Sequence, residues 1–210
     1  MRKIVIIGGG GHAKVLISVL KRMEGFTIIG YTDLKDNGTI LGIPYLGTDD
    51  VLNAILSDNP SCSAAIGIGG ARISELRKKI VRGLESRGFD LPPITSRCAV
   101  VNEGVEMGQG TVVFDGAVVN SGTVIGQYSI LNTNSTVDHD CHIGDYVHIA
   151  PGVTISGDTR IGNNAFIGAG ATVIQGITIA DDCLIGAGAV VVDDCLIPGT
   201  YVGVPARRMK

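Results

Sequence analysis

From residue 101 onward an aliphatic side chain returns at every sixth position: Val101, Met107, Val113, Val119, Ile125, Leu131, Val137, Ile143, Ile149, Ile155, Ile161, Ile167, Val173, Ile179, Ile185, Val191 and Ile197. These seventeen hexads show no slip. Four residues after each aliphatic position comes a small or β-branched residue, from Val105 through Thr111, Ala117, Thr123, Ser129, Ser135 and Cys141 to Ala189 and Cys195. Glycine often follows the aliphatic residue directly, as at Gly126, Gly144, Gly162, Gly168 and Gly186. A period of six suits neither a helix nor a hairpin meander, whose side chains repeat every 3.6 and every two residues. It predicts a parallel β-helix in which each hexad is one short strand and one corner. Three hexads close a coil, which gives about six coils around one aliphatic stack, each coil touching only its neighbours. Spacing leaves the hand of this helix open, since parallel crossovers are normally right-handed.

Pro92-Pro93 marks the end of this grammar, and the expected domains are 1–90 and 91–210. The first reads as alternating strands and helices. Residues 3–7 form a continuous apolar run suited to a parallel strand covered on both faces. A glycine loop follows, then helical spacing over 13–21, a second strand over 26–31 ending at Asp33, a short helix over 51–56 and a third strand over 64–68. Gly69-Gly70 and a helix over 72–87 complete it. Strand, glycine turn, helix and strand with an acid at its tip make a mononucleotide-binding βαβ half. Gly8-x-Gly10-x-x-Ala13 with Asp33 about twenty residues on also matches a dinucleotide fingerprint, so a nicotinamide enzyme is an alternative for this half. Three strands are too few for two mononucleotide units, and a nucleotide-sugar fits better.

Composition narrows the partners. Hydrophobic residues make up 45% of the 210 and charged residues 18%, which excludes intrinsic disorder. A net charge of −3 offers no basic field to nucleic acid or an anionic membrane. No apolar stretch is long enough to span a bilayer, and the N-terminal apolar run leads into glycines and His12 with no small-residue cleavage site. Cysteines 62, 98, 141, 183 and 195 form no CxxC pair and no metal-ligand spacing, and three fall in the small inward slot. The expectation is a reduced, cytoplasmic protein whose partners are small molecules and its own copies. Outward Val112, Val118, Val124 and Ile130 predict flat outer faces that are apolar and exposed, and a three-sided prism closes on itself as a homotrimer.

The hexads, the Gly-Gly-His loop, the segment Asn132-Thr-Asn-Ser-Thr-Val-Asp-His-Asp140 and the tail Val202-Gly-Val-Pro-Ala-Arg-Arg-Met209 carry a resemblance. The chain resembles the sialic acid O-acetyltransferase type of hexapeptide-repeat acyltransferase. Within that family it is most similar to the N-acetyltransferases of nucleotide-linked 4-amino-4,6-dideoxy sugars, such as those of UDP-bacillosamine synthesis. The resemblance implies a Rossmann-like domain followed by a left-handed β-helix, acetyl-CoA as co-substrate, a nucleotide-sugar as acceptor, no metal, and a role in bacterial surface glycan synthesis. It implies His139 as the proton acceptor and Asp140 as the carboxylate that raises its basicity. His148 would contact the acetyl end of acetyl-CoA, Gly157 would offer a backbone N–H near the thioester carbonyl, and Ala169 and Ala187 would line the pantetheine path. Gly10, Gly11, His12, Asp33, Leu34 and Gly69 match positions that hold the nucleotide. Related chains often carry two acids after the second strand, where this one has Asp33 followed by Leu34.

Acyl transfer from a thioester needs a base, a donor for the developing oxyanion and exclusion of water. His139 lies two residues past inward Val137, at a corner, with a neutral-range pKa and Asp140 beside it. No serine or cysteine pairs with a base, which favours direct attack over an acyl-enzyme. The glycine-rich steps at 168–170 and 186–188 fit a pantetheine arm or simple tight turns. His142 receives no role, and His12 fits either a phosphate contact or a helix cap. Two other readings remain at this point. One is O-acetylation of a free sugar such as sialic acid. The other is a γ-type carbonic anhydrase with zinc on His139, His142 and His148, although the gaps of two and five residues depart from that class's spacing.

Overall fold

A computed structural model describes residues 1–69 and 75–209. Contacts divide the chain into two compact units, and among the described residues the border lies between Pro92 and Pro93.

The first unit contains β1 (Arg2–Ile7), α1 (Gly11–Arg22), β2 (Phe26–Thr32), β3 (Tyr45–Gly47), α2 (Leu52–Asp58), β4 (Ser63–Ile66) and α3 (Glu75–Arg87). Its strands are all parallel, in the order β3-β2-β1-β4. The apolar run Ile4, Val5, Ile6, Ile7 is buried along β1, and α1 buries Ala13, Leu16, Ile17, Val19 and Leu20 at helical spacing. Three strands were expected and the described residues hold four. Three-residue β3 has no apolar run to announce it and forms because Tyr45 pairs with Tyr31 at the sheet edge. The helix expected over 72–87 begins in the described residues at Glu75, while Gly70, Arg72, Ile73 and Ser74 lie outside them. Because β2 and β4 flank β1 on opposite sides, a crevice opens beyond their C-terminal ends, where α/β sheets bind ligands.

The second unit is the β-helix. Two-residue strands recur every six residues from Val100–Val101 to Val190–Val191 and stack in three parallel sheets. Partners are one coil apart, as in Ile130 with His148 and Leu131 with Ile149. The second residue of each strand points inward, and the stack from Val113 to Val191 is buried. The small slot supplies hydroxyls to corner carbonyls that would otherwise lack donors: Thr111 Oγ1 donates to Gly126 O at 2.7 Å and Thr123 Oγ1 to Asp138 O at 2.7 Å. Each corner turns at the third residue after the inward one. That residue has a positive φ at all fifteen positions from Gly104 to Gly188. Glycine, Asn and Asp tolerate this left-handed backbone, and only Tyr128 and Tyr146 depart from them in this series.

Two expectations fail here. Ile197 is 58% exposed and does not extend the stack. Cys195 bridges Ile179 instead, and Thr200–Val202 pairs with Leu184–Ile185, so these partners are sixteen residues apart, not eighteen. Pro198, which cannot donate to a ladder, sits in this shortened coil, which ends against the antiparallel strand Arg207–Arg208. The expected exposure of the outer apolar residues also fails for two of the four. Val112 and Ile130 share one face with His148 and Phe166 and are already 2% exposed within the chain, while Val118 and Val124 lie on the other two faces. Among the described residues no helix is long and apolar enough to cross a membrane.

Candidate active site

His139 occupies the corner between strands Thr136–Val137 and His142–Ile143, and its side chain is 52% exposed. Asp140 takes the left-handed corner position at φ 58°, which turns its carboxylate back to the ring. His139 Nδ1 lies 2.8 Å from Asp140 Oδ2. A carboxylate accepts, so Nδ1 donates its proton and Nε2 keeps a lone pair for a substrate proton. The backbone N–H of His139 donates to Asp138 Oδ1 at 2.8 Å, and Asn120 Nδ2 donates to the same oxygen at 2.6 Å. The Asp140 hydrogen bond first, and the Asp138 charge second, raise the His139 pKa above its ordinary value. Gly157, one coil on, lies against the ring: a Cβ there would stand 2.7 Å from both Cε1 and Nε2.

His148 lies on another face, 7% exposed, between Ile130 and Phe166. The Phe166 ring meets its edge at 5.1 Å between centroids, and Asn132 Nδ2 lies 3.3 Å from His148 Nε2. The next corner carries Pro151, Ala169 and Ala187 in register, with Gly170 N donating to Pro151 O and Gly188 N to Ala169 O. Both alanines are exposed. A single chain therefore gathers the predicted residues into two groups. His139, Asp140 and Gly157 share one edge of the prism. His148, Ala169 and Ala187 share a face and a different edge, and the face of Thr136, Thr154 and Thr172 separates the two edges.

In the first unit Asp33 clamps the glycine loop: Gly9 N donates to its Oδ2 at 2.6 Å and Lys35 N to its Oδ1 at 3.2 Å. His12 packs its ring on Gly69, where a Cβ would meet it at 3.0 Å. Gly10 and Gly11 leave their backbone open and line a cavity of about 540 Å³ with Lys14, Asn37 and Thr39. Asp33 and Leu34 line a second cavity of about 420 Å³ with Gly8, Thr32, Ile68 and Ile80. The predicted nucleotide positions thus cluster at the C-terminal ends of β1, β2 and β4, with Gly10 and Gly11 on one cavity, Asp33 and Leu34 on the other, and His12 and Gly69 lining neither. Lys14, Asn37 and Thr39 escaped the sequence reading. Lys14 was findable, because a cation in the first turn beside exposed amides suits an anion.

Burial raises the thiols of Cys62, Cys141 and Cys183, and that of Cys195 to about 11, which disfavours the nucleophilic thiolate. Among the described residues no group of three or more His, Cys, Asp or Glu is placed to hold a metal ion. His139, His142 and His148 stand on a corner and two different faces and do not converge within one chain.

The chain is similar to known proteins along its length. The family described as PglD N-terminal domain matches residues 3–84, and Bacterial transferase hexapeptide (six repeats) matches 122–157 and 158–193. The acetyltransferase domain of PglB from Neisseria gonorrhoeae FA1090 is 35% identical over 100% of both chains, with a TM-score of 0.86, and has also been solved with acetyl coenzyme A. A histidine-to-asparagine mutant of perosamine N-acetyltransferase from Caulobacter crescentus, in complex with CoA and GDP-perosamine, is 37% identical over 100% of this chain and 98% of that one, with a TM-score of 0.92. WeeI from Acinetobacter baumannii AYE is 29% identical over 100% of both, with a TM-score of 0.87. No curated protein sequence matches the chain.

Proposed function

The chain belongs to the hexapeptide-repeat acetyltransferases with a PglD-type N-terminal domain, and from that premise we propose that it moves the acetyl group of acetyl-CoA to the amino group of a nucleotide-linked amino sugar. The observation that carries this reading is the His139–Asp140 pair on an open corner above Gly157, in a chain matched over its full length by perosamine N-acetyltransferase. The amine nitrogen attacks the thioester carbonyl, its proton passes to His139 Nε2, and the carbon–sulfur bond breaks to release CoA, which takes up the proton as thiol. Asp140 holds the tautomer and stabilises the imidazolium. The Gly157 N–H serves the developing oxyanion, and His148 with Ala169 and Ala187 receives the acetyl end and pantetheine arm. Gly10, Gly11, His12, Asp33, Leu34 and Gly69, with the two cavities beside them, hold the nucleotide. The reaction belongs in the cytoplasm, ahead of the transfer that builds a bacterial surface glycan.

Incubation with acetyl-CoA and UDP-, dTDP- or GDP-linked 4-amino sugars, with sialic acid as the comparison, tests this reading. One nucleotide amino sugar should release CoA at least tenfold faster than the other acceptors. Turnover of sialic acid alone would instead establish O-acetylation.

The active unit in this reading is a homotrimer, because one chain keeps the His139 edge and the Ala169–Ala187 edge apart, and a ring of three brings one subunit's first edge to its neighbour's second. Light scattering at micromolar concentration should give three times the chain mass of 21.7 kDa. A single-chain mass would overturn it.

A further inference from the structure

The residue before His139 ends a hydrogen-bonded relay that runs along one edge of the β-helix. Asn102, Asn120 and Asp138 occupy the same corner position in three successive coils. Asn102 Nδ2 donates to Asn120 Oδ1 at 2.7 Å, and Asn120 Nδ2 donates to Asp138 Oδ1 at 2.6 Å. The relay has one sense only: Asn120 uses its oxygen toward Asn102, so its NH₂ must face the carboxylate. Past Asp138 the same position holds Ser156 and then Ile174. The amides therefore converge on an acid in the one coil that carries His139.

Asp138 differs from Asp140 in what it can touch. Its Oδ1 is occupied by Asn120 and by the His139 backbone N–H, so it fixes the corner's backbone and acts on the ring through space. Asp140 bonds the ring itself. The charges acting on the ring are Asp138 and Asp140 on its own corner and Asp158 from the next coil.

We propose that Asp138, clamped by Asn120, is a second positioning carboxylate for His139, holding the corner that carries the base and supplying charge that favours its protonated form in the transition state. This rests on the reading of His139 as the general base. The Asn120 amide, and then the His139 N–H, keep the Asp138 carboxyl below the usual carboxylate range, so it carries full charge wherever the imidazole titrates.

The test compares the parent with Asp138→Asn and Asn120→Ala, following the ring titration by NMR of histidine-labelled protein and the pH profile of kcat/KM. The base works neutral, so a raised pKa holds the rising limb at higher pH, and losing the charge should move the limb down. In Asp138→Asn the ring pKa and the rising limb should both fall by about half a unit or more, with KM for acetyl-CoA within about twofold. Asn120→Ala should shift both in the same direction by less, since Asp138 stays charged but is free to swing away. A ring titration and limb that stay at the parental pH in a folded Asp138→Asn would overturn the proposal. If that variant does not fold, an unshifted Asn120→Ala would overturn it equally. Failure of the underlying reading looks different: His139→Asn would then keep parental activity whatever Asp138→Asn did to the titration.

Discussion

Replacing His139 by alanine is expected to lower kcat by about 10²–10⁴-fold, the usual worth of a positioned general base. KM for either substrate should change little, because the proton moves in the transition state and not on binding. His139→Asn should be nearly as inactive, since an amide keeps polarity and rough size but has no comparable basicity. Asp140→Asn should lose less. The hydrogen bond that Asp140 Oδ2 accepts from His139 Nδ1 is the largest cause of the raised His139 pKa, so the pH–rate profile of this variant should also move to lower pH. His142→Ala is the internal control: that ring stands on an exposed strand between Val124 and Arg160 and makes no contact with the His139–Asp140 pair in the hydrogen-bond network. Steady-state kinetics with both substrates check all four variants. More than half of parental kcat in His139→Ala, with loss in His142→Ala, would show the base to be misassigned.

The second large effect comes from a single methyl group. Gly157→Ala would place a Cβ 2.7 Å from Nε2 and Cε1 of His139. The ring is half exposed and can swing away, so the fold should tolerate the change and Tm should fall by only a few degrees. The base cannot tolerate it, because a displacement of about 1 Å costs on the order of 10²-fold in rate. The expected result is a kcat lower by about that factor in a protein whose Tm lies within a few degrees of the parent's and whose oligomeric mass is unchanged. Wild-type turnover in Gly157→Ala would show that the ring does not work from the position it holds here.

The hexad period already separated inward from outward positions, because every hexad solves the same steric problem of a two-residue strand and a left-handed corner. Counting along it placed His139 on a corner and explained Cys141 and Cys183 as core. The continuous run of β1, the glycine loop and Asp33 likewise announced a nucleotide-binding βαβ half. All of this is local direction, which a short stretch of chain specifies by itself.

What only the tertiary structure decided is what each outward residue meets. Val112 and Ile130 have the same pattern as Val124, yet they are 2% exposed and it is 37% exposed, a difference the period does not announce. The coil that draws in Cys195 and expels Ile197 obeys pairing with Ile179 over the period. β3 exists only through its pairing with β2. The relay from Asn102 to Asp138 crosses eighteen residues at each step, and the period brings those positions into register without saying that amide will bond to carboxylate. The separation of His139 from Ala169 and Ala187 onto different edges is also a property of the closed prism. Side-chain direction is set by neighbours in the chain, whereas partnership is set by neighbours in space.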